Sequence, residues 1–205
     1  MDWKPWMDAF LSALLEAFPG RVRFVGIQGS YGRGEAGPDS DVDLVVVLDE
    51  LGEAELFACR ALVGRMPFAD RACGFFCDRA ALAAWPAFDA LQLKLDTVSV
   101  YGSLEELLPP IGPEELAQAV RTGASALYHA ACHAALFDAA PQEALPALRK
   151  SAFFVLRLAY CRRTGQYVAS RQALEALLEP AEQALLEEGC SLPALMAWAK
   201  REMAR

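Results

Sequence analysis

Between residues 3 and 18 the large apolar side chains recur three and four apart: Trp3, Trp6, Met7, Phe10, Leu11, Leu14, Leu15 and Phe18. That spacing draws one apolar face along a helix, and Pro19-Gly20 ends it. The period then changes. "RVRFVGIQG" (21–29) is short, β-branched and aromatic, which predicts a strand. "DVDLVVVL" (41–48) is nearly continuous Val and Leu, as a central strand covered on both faces requires. A helix is predicted over 53–65, a third strand in "ACGFFC" (72–77), a short helix in "RAALAAW" (79–85), and a fourth strand in the alternating "LQLKLDTVSVYG" (91–102).

Beyond "SLEELLPPIGP" the strand signals stop. Prolines at 109, 110 and 113 mark a boundary, and the remainder reads as helices over 114–138, 143–164, 170–189 and 192–204. Strands followed by a run of helices predict an α+β protein of two domains, residues 1–110 and a helical bundle at 111–205. No internal repeat relates the halves.

Composition narrows the class of protein. Over 205 residues, 55% are apolar and 22% charged, with no low-complexity tract, so the whole chain is expected to fold. No apolar run approaches the roughly 18 residues that cross a bilayer. The first segment carries Asp2, Asp8 and Glu16, which secretory and transit peptides avoid, and this predicts a cytoplasmic protein. Six cysteines lie in apolar surroundings without a C-x-x-C pair, as expected of reduced thiols. Cys73, Cys77, Cys132 and His133 match no common zinc spacing. A net charge of -8 argues against a non-specific nucleic-acid binder and suits neutral or cationic partners.

Chemistry concentrates in "GSYGRGEAGPDSDVDL" (29–44), between the first two strands. Side chains two apart on a strand share a face, so Asp41 and Asp43 hold their carboxylates side by side. Carboxylates that close repel one another unless a cation neutralises them. Mg²⁺ is the natural ion, because it takes one or two protein carboxylates and completes its shell with water and phosphate oxygens. At the preceding strand's end, Gly29 permits close backbone approach, Ser30 offers a hydroxyl and an amide, and Gly32, Gly34 and Gly37 let the loop turn its N–H groups toward an anion. A polyphosphate fits there, which is the arrangement of phosphoryl or nucleotidyl transfer. The loop is not a P-loop, lacking the Gly-Lys-Ser/Thr ending, and not a dinucleotide fingerprint.

This stretch, a Gly-Ser followed about ten residues later by Asp-x-Asp and a hydrophobic strand, resembles the signature of the polymerase-β-type nucleotidyltransferases. It is most similar to the small prokaryotic members, the minimal and aminoglycoside nucleotidyltransferases. The resemblance implies a mixed sheet with flanking helices, a nucleoside triphosphate (ATP foremost) with Mg²⁺, and transfer of a nucleoside monophosphate to an acceptor hydroxyl with release of pyrophosphate. It implies that Gly29 and Ser30 hold the triphosphate and that Asp41 and Asp43 bind metal. It also implies a third carboxylate, a metal ligand or general base. Asp96 is the choice, since inside an apolar strand a carboxylate needs a partner; Asp89 and then Asp78 are substitutes, and "ACGFFC" supplies none.

Other features have plainer readings. Arg33 reads as exposed, with contact to phosphate the alternative. Arg149, Lys150, Arg157, Arg162 and Arg163 read as a solvated basic face, with Lys150 and Arg157 the alternative counter-charges for a triphosphate. Tyr128, His129 and His133 read as bundle packing, with the lining of an acceptor pocket the alternative. The sequence therefore predicts a nucleotidyltransferase whose helical domain walls an acceptor cleft, for an aminoglycoside-like small molecule or a protein hydroxyl, possible as a homodimer. The competing class is a nucleotide-binding regulatory or antitoxin-like module with little or no turnover.

Overall fold

The computed structural model describes residues 2–205. The chain divides into two compact units: residues up to Pro86 with Gln92–Pro110, and Ala87–Leu91 with Ile111–Arg205.

The first unit opens with helix α1 (Trp3–Ala17), capped by the Asp2 carboxylate accepting from the Lys4 N–H at 3.1 Å. Strand β1 (Val22–Gln28) and a single-turn helix α2 (Gly29–Arg33) lead to β2 (Val42–Leu48) and helix α3 (Glu53–Val63). Strand β3 (Ala72–Asp78), the short α4 (Arg79–Ala83), helix α5 (Ala87–Asp96) and β4 (Val98–Tyr101) follow. The four strands form one sheet in the order β3-β2-β1-β4. β1 runs antiparallel to both β2 and β4, and β2 runs parallel to β3, so the sheet is mixed. One face of the sheet, carrying Val25, Ile27, Val42, Leu44, Val46 and Leu48, is buried with Trp6, Met7, Phe10 and Leu14 of α1 and Cys59 and Leu62 of α3. Burying that many Leu, Val and Phe side chains, at about 1.5–3 kcal/mol each, makes this face the main stabilising layer of the unit. The alternation of β2 then sends Asp43, Val45 and Val47 to the opposite face. β3 can lie close to β2 because Gly74 has φ +147 and a Cβ there would come within 2.1 Å of the Leu44 carbonyl oxygen.

One element departs from its sequence pattern. The fourth strand expected over 91–102 is only Val98–Tyr101; residues 87–96 are helix α5. Leu91, Leu93 and Leu95 do alternate with Gln92 and Lys94, but Leu, Gln and Lys all favour helix, and β-branched residues begin only at Thr97. Asp96 therefore lies at the C-terminal end of a helix and not within a strand.

The second unit is helical. α6 (Pro113–Phe137) buries a face of small residues, among them Ala119, Gly123, Ala124, Ala131 and Ala134, against which α7 (Leu145–Thr164) and α10 (Leu192–Met203) pack. Ala87–Leu91 joins this unit through Phe88, whose ring lies 2.6 Å from where a Cβ on Gly123 would stand. The helix expected over 170–189 is two short turns, α8 (Arg171–Glu175) and α9 (Pro180–Gln183). Pro180 lacks an N–H and holds Glu179 extended at ψ 151, so no helix passes through. Arg162 pairs with Glu202 at 2.8 Å and Arg163 with Glu182 at 3.0 Å, tying α7 to α10 and α9. Arg157 is not part of a solvated basic face: it is 1% exposed, its guanidinium 4.7 Å from the Phe153 ring centroid and 5.4 Å from that of Tyr167. Among the described residues no helix is long and apolar enough to cross a membrane.

Candidate active site

At one end of the sheet the register places Gln28, Asp43 and Cys73 in a row across β1, β2 and β3. The chain leaves β1 at Gly29, whose φ of +66 is the left-handed region that a side chain enters only at a cost. The space is as restrictive as the angle. A Cβ on Gly29 would stand 1.9 Å from Oδ2 of Asp43 and 2.8 Å from its Cγ, so the backbone at Gly29 lies directly against that carboxylate. Gly32 is crowded to a lesser degree, with the Ile27 carbonyl oxygen 2.9 Å from its would-be Cβ, which lets α2 fold back on the end of β1. Gly34 closes α2 at φ +73, its N–H donating to the Tyr31 carbonyl at 3.2 Å.

The loop from Gly34 to Ser40 is exposed but internally braced. The Glu35 N–H donates to the Ser30 carbonyl at 2.7 Å, and the Gly37 N–H donates to the Ser40 hydroxyl at 2.8 Å. Arg71 Nε donates to the Ser40 carbonyl at 3.2 Å, fixing the backbone just before Asp41. Asp41 is exposed and immediately precedes β2; Asp43 is half-buried as its second residue. On the far side of Asp43, the Cys73 thiol donates to Oδ1 at 3.0 Å.

Asp96 is ion-paired to Arg33 of α2. It is 7% exposed, and Arg33 Nη1 donates to its Oδ2 at 3.1 Å while Arg33 Nε donates to Glu35 at 2.9 Å. Arg33 is thus not exposed as its sequence context implied; its side chain keeps 14% of its accessible surface. Partial burial would lower its pKa, but the carboxylates of Glu35 and Asp96 outweigh that and raise it. Asp78 caps α4, accepting from the Ala81 N–H at 2.7 Å, and Asp89 lies exposed in the first turn of α5, with partial desolvation raising its carboxyl above the ordinary value. Among the described residues no three His, Cys, Asp or Glu side chains gather as a metal set. The pair Asp41 and Asp43 stays at the mouth of the glycine-rich turn, and the third carboxylate expected to join it is anchored to Arg33. Sequence reasoning missed Cys73, Arg71 and the Arg33–Asp96 pair; each depends on residues 30 or more positions apart, and only the lone acid in an apolar segment signalled one of them.

The site is thus a glycine turn pressed against one of two closely spaced carboxylates, where the chain leaves a strand antiparallel to its neighbour. Residues 7–108 match the family model of the nucleotidyltransferase domain, and the chain belongs to that family, as a nucleotidyltransferase of the polymerase-β type. Its fold is similar to that of spectinomycin adenyltransferase AAD(9) from Enterococcus faecialis, crystallised with ATP and spectinomycin: 12% identity, 98% of this chain and 99% of that chain covered, TM-score 0.58. No curated protein matches the sequence significantly.

Proposed function

We propose that the enzyme takes ATP with Mg²⁺ as donor and transfers the nucleoside monophosphate to a hydroxyl of a small, aminoglycoside-like acceptor, releasing pyrophosphate. In that step an acceptor oxygen bonds to the α-phosphorus, the bond from that phosphorus to the α,β-bridging oxygen breaks so that pyrophosphate leaves with that oxygen, and the hydroxyl proton passes to solvent. The observation that carries the reading is the contact of the Gly29 backbone with the Asp43 carboxylate, one residue from Asp41.

Asp41 and Asp43 would hold the cation. Two carboxylates at a solvent-open edge fit Mg²⁺, which needs only one or two from protein. When bound it would neutralise charge on the phosphate oxygens. Gly29 leaves room for a phosphate to approach the backbone, and Ser30 would donate its hydroxyl and amide to phosphate oxygens. Asp96, through Arg33, would hold α2 and so the position of Ser30. The ATP and spectinomycin bound by the AAD(9) structure support the choice of donor and acceptor class, and the net charge of -8 suits a polycationic acceptor. The cytoplasm suits the free cysteines.

The test is pyrophosphate release with Mg·ATP across a panel of aminoglycosides, aminocyclitols and a hydroxyl-bearing protein substrate. Release with a small-molecule acceptor is expected, falling at least about 100-fold in Asp41→Asn and Asp43→Asn at unchanged melting temperature. Release only with the protein substrate would transfer the reading to protein modification. No release from any acceptor while ATP still binds would replace the enzyme with a binding module.

A further inference from the structure

We propose that Cys73 is a positioning residue for Asp43, setting the strength with which the site holds a divalent cation beside the nucleotide. This rests on the reading of Asp43 as a metal-binding carboxylate. Among the described residues Cys73 is the one exposed cysteine of six, although its setting in "RACGFFC" is apolar. The parallel register of β2 and β3 puts it directly opposite Asp43, so both side chains leave the same face of the sheet. Its thiol donates to Oδ1 at 3.0 Å, while Oδ2 faces the Gly29 backbone across a gap too narrow for a Cβ.

The carboxylate is thereby held from both sides. Gly29 restricts it sterically, and Cys73 orients it by a hydrogen bond to an ionised acceptor, a stronger kind than the neutral bond. Remove the donor and the Asp43 side chain regains torsional freedom, which must be lost again whenever a cation is held. The Arg33 guanidinium is committed to Glu35 and Asp96. The bond to Oδ1 gives the thiol its proposed role through Asp43, and among the described residues no three His, Cys, Asp or Glu side chains gather as a metal set.

The experiment is calorimetry of ATP binding to the full chain, with Mg²⁺ and with EDTA, for the wild type, Cys73→Ser, Cys73→Ala and Asp43→Asn. A hydrogen bond to a charged group from a weak thiol donor corresponds to about 5–10-fold in affinity. Cys73→Ala is therefore expected to lose about 5–10-fold of the gain that Mg²⁺ confers, with affinity in EDTA unchanged. Cys73→Ser, which keeps a donor, stays within about twofold of the wild type. Equal losses in Ser and Ala would overturn the donor account, and so would a full Mg²⁺ gain in Cys73→Ala when Asp43→Asn abolishes it. A Cd²⁺–thiolate charge-transfer band that disappears in Cys73→Ala would make the thiol itself the ligand and overturn the positioning role. Absence of any Mg²⁺ gain in the wild type, or its survival in Asp43→Asn, would overturn the metal reading of Asp43 and this proposal with it.

Discussion

Two glycines flank the short helix α2 in nearly the same backbone conformation, Gly29 at φ +66 and Gly34 at φ +73, yet their surroundings differ completely. An added Cβ meets nothing within 4 Å at Gly34, whereas at Gly29 it meets Asp43 Oδ2 at 1.9 Å, Cγ at 2.8 Å and Cβ at 3.3 Å. Gly34→Ala should therefore cost only the left-handed penalty, about 1–2 kcal/mol. Gly29→Ala incurs the same penalty and must also move the carboxylate. Ordinary contact begins near 3.4 Å, so Oδ2 has to retreat by about 1.5 Å. That takes Asp43 off its rotamer at about 0.5–1.5 kcal/mol and breaks the Cys73 hydrogen bond at about 0.5–1.5 kcal/mol. The sum is about 2–5 kcal/mol for Gly29→Ala. Urea unfolding followed by circular dichroism measures both variants, and Mg·ATP binding and turnover measure the site. With Asp43 in its proposed catalytic role, a displacement of this size costs on the order of 100-fold in rate, so Gly29→Ala should be nearly inactive while Gly34→Ala stays close to wild type. Equal stability loss and equal activity in the two alanine variants would refute the claim that Gly29 is required by its contact with Asp43 and not by its backbone angle alone.

Two further measurements bear on the first unit. Cys77, two turns of the pleat along β3 from the exposed Cys73, is buried, and its thiol is pushed up from 9.0 to about 12, by desolvation first and then by the charge of Asp78. Its neutral form is the folded form, so its contribution is complete below the ordinary thiol value and is lost as pH rises from 9.0 to about 12. Wild-type stability should fall more steeply than that of Cys77→Ala over this range, by at most about 1.4 kcal/mol per pH unit, and parallel pH profiles in urea titrations would refute the assignment. Breaking the buried Arg33–Asp96 pair by Arg33→Met should cost about 3 kcal/mol. In a double-mutant cycle with Asp96→Asn the two losses should be non-additive by about 1–2 kcal/mol; additive losses would mean that the pair does not couple α2 to α5.

What could be read from the chain was what depends on near neighbours. The helix at 3–17 follows from a local period, strands β1, β2 and β3 and helix α3 from local pattern and composition, and two carboxylates sharing a face at Asp41 and Asp43 from the two-residue period of a strand. Where two local signals competed, periodicity misled: Leu91, Leu93 and Leu95 alternate like a strand while their residue types favour a helix, and packing in the fold resolved the conflict as α5. The same holds for Asp96. An isolated acid among apolar residues correctly announced a partner, but sequence offered no means to tell a metal from Arg33, 63 positions away.

Glycine, serine and paired aspartates in one short stretch carried the resemblance to the nucleotidyltransferases, the family whose model residues 7–108 match. The clamp on Asp43 was decided by tertiary structure alone. Gly29 and Cys73 reach it only because β1 pairs antiparallel and β2 pairs parallel in one register, and strand pairing is a non-local choice that no period along the chain encodes.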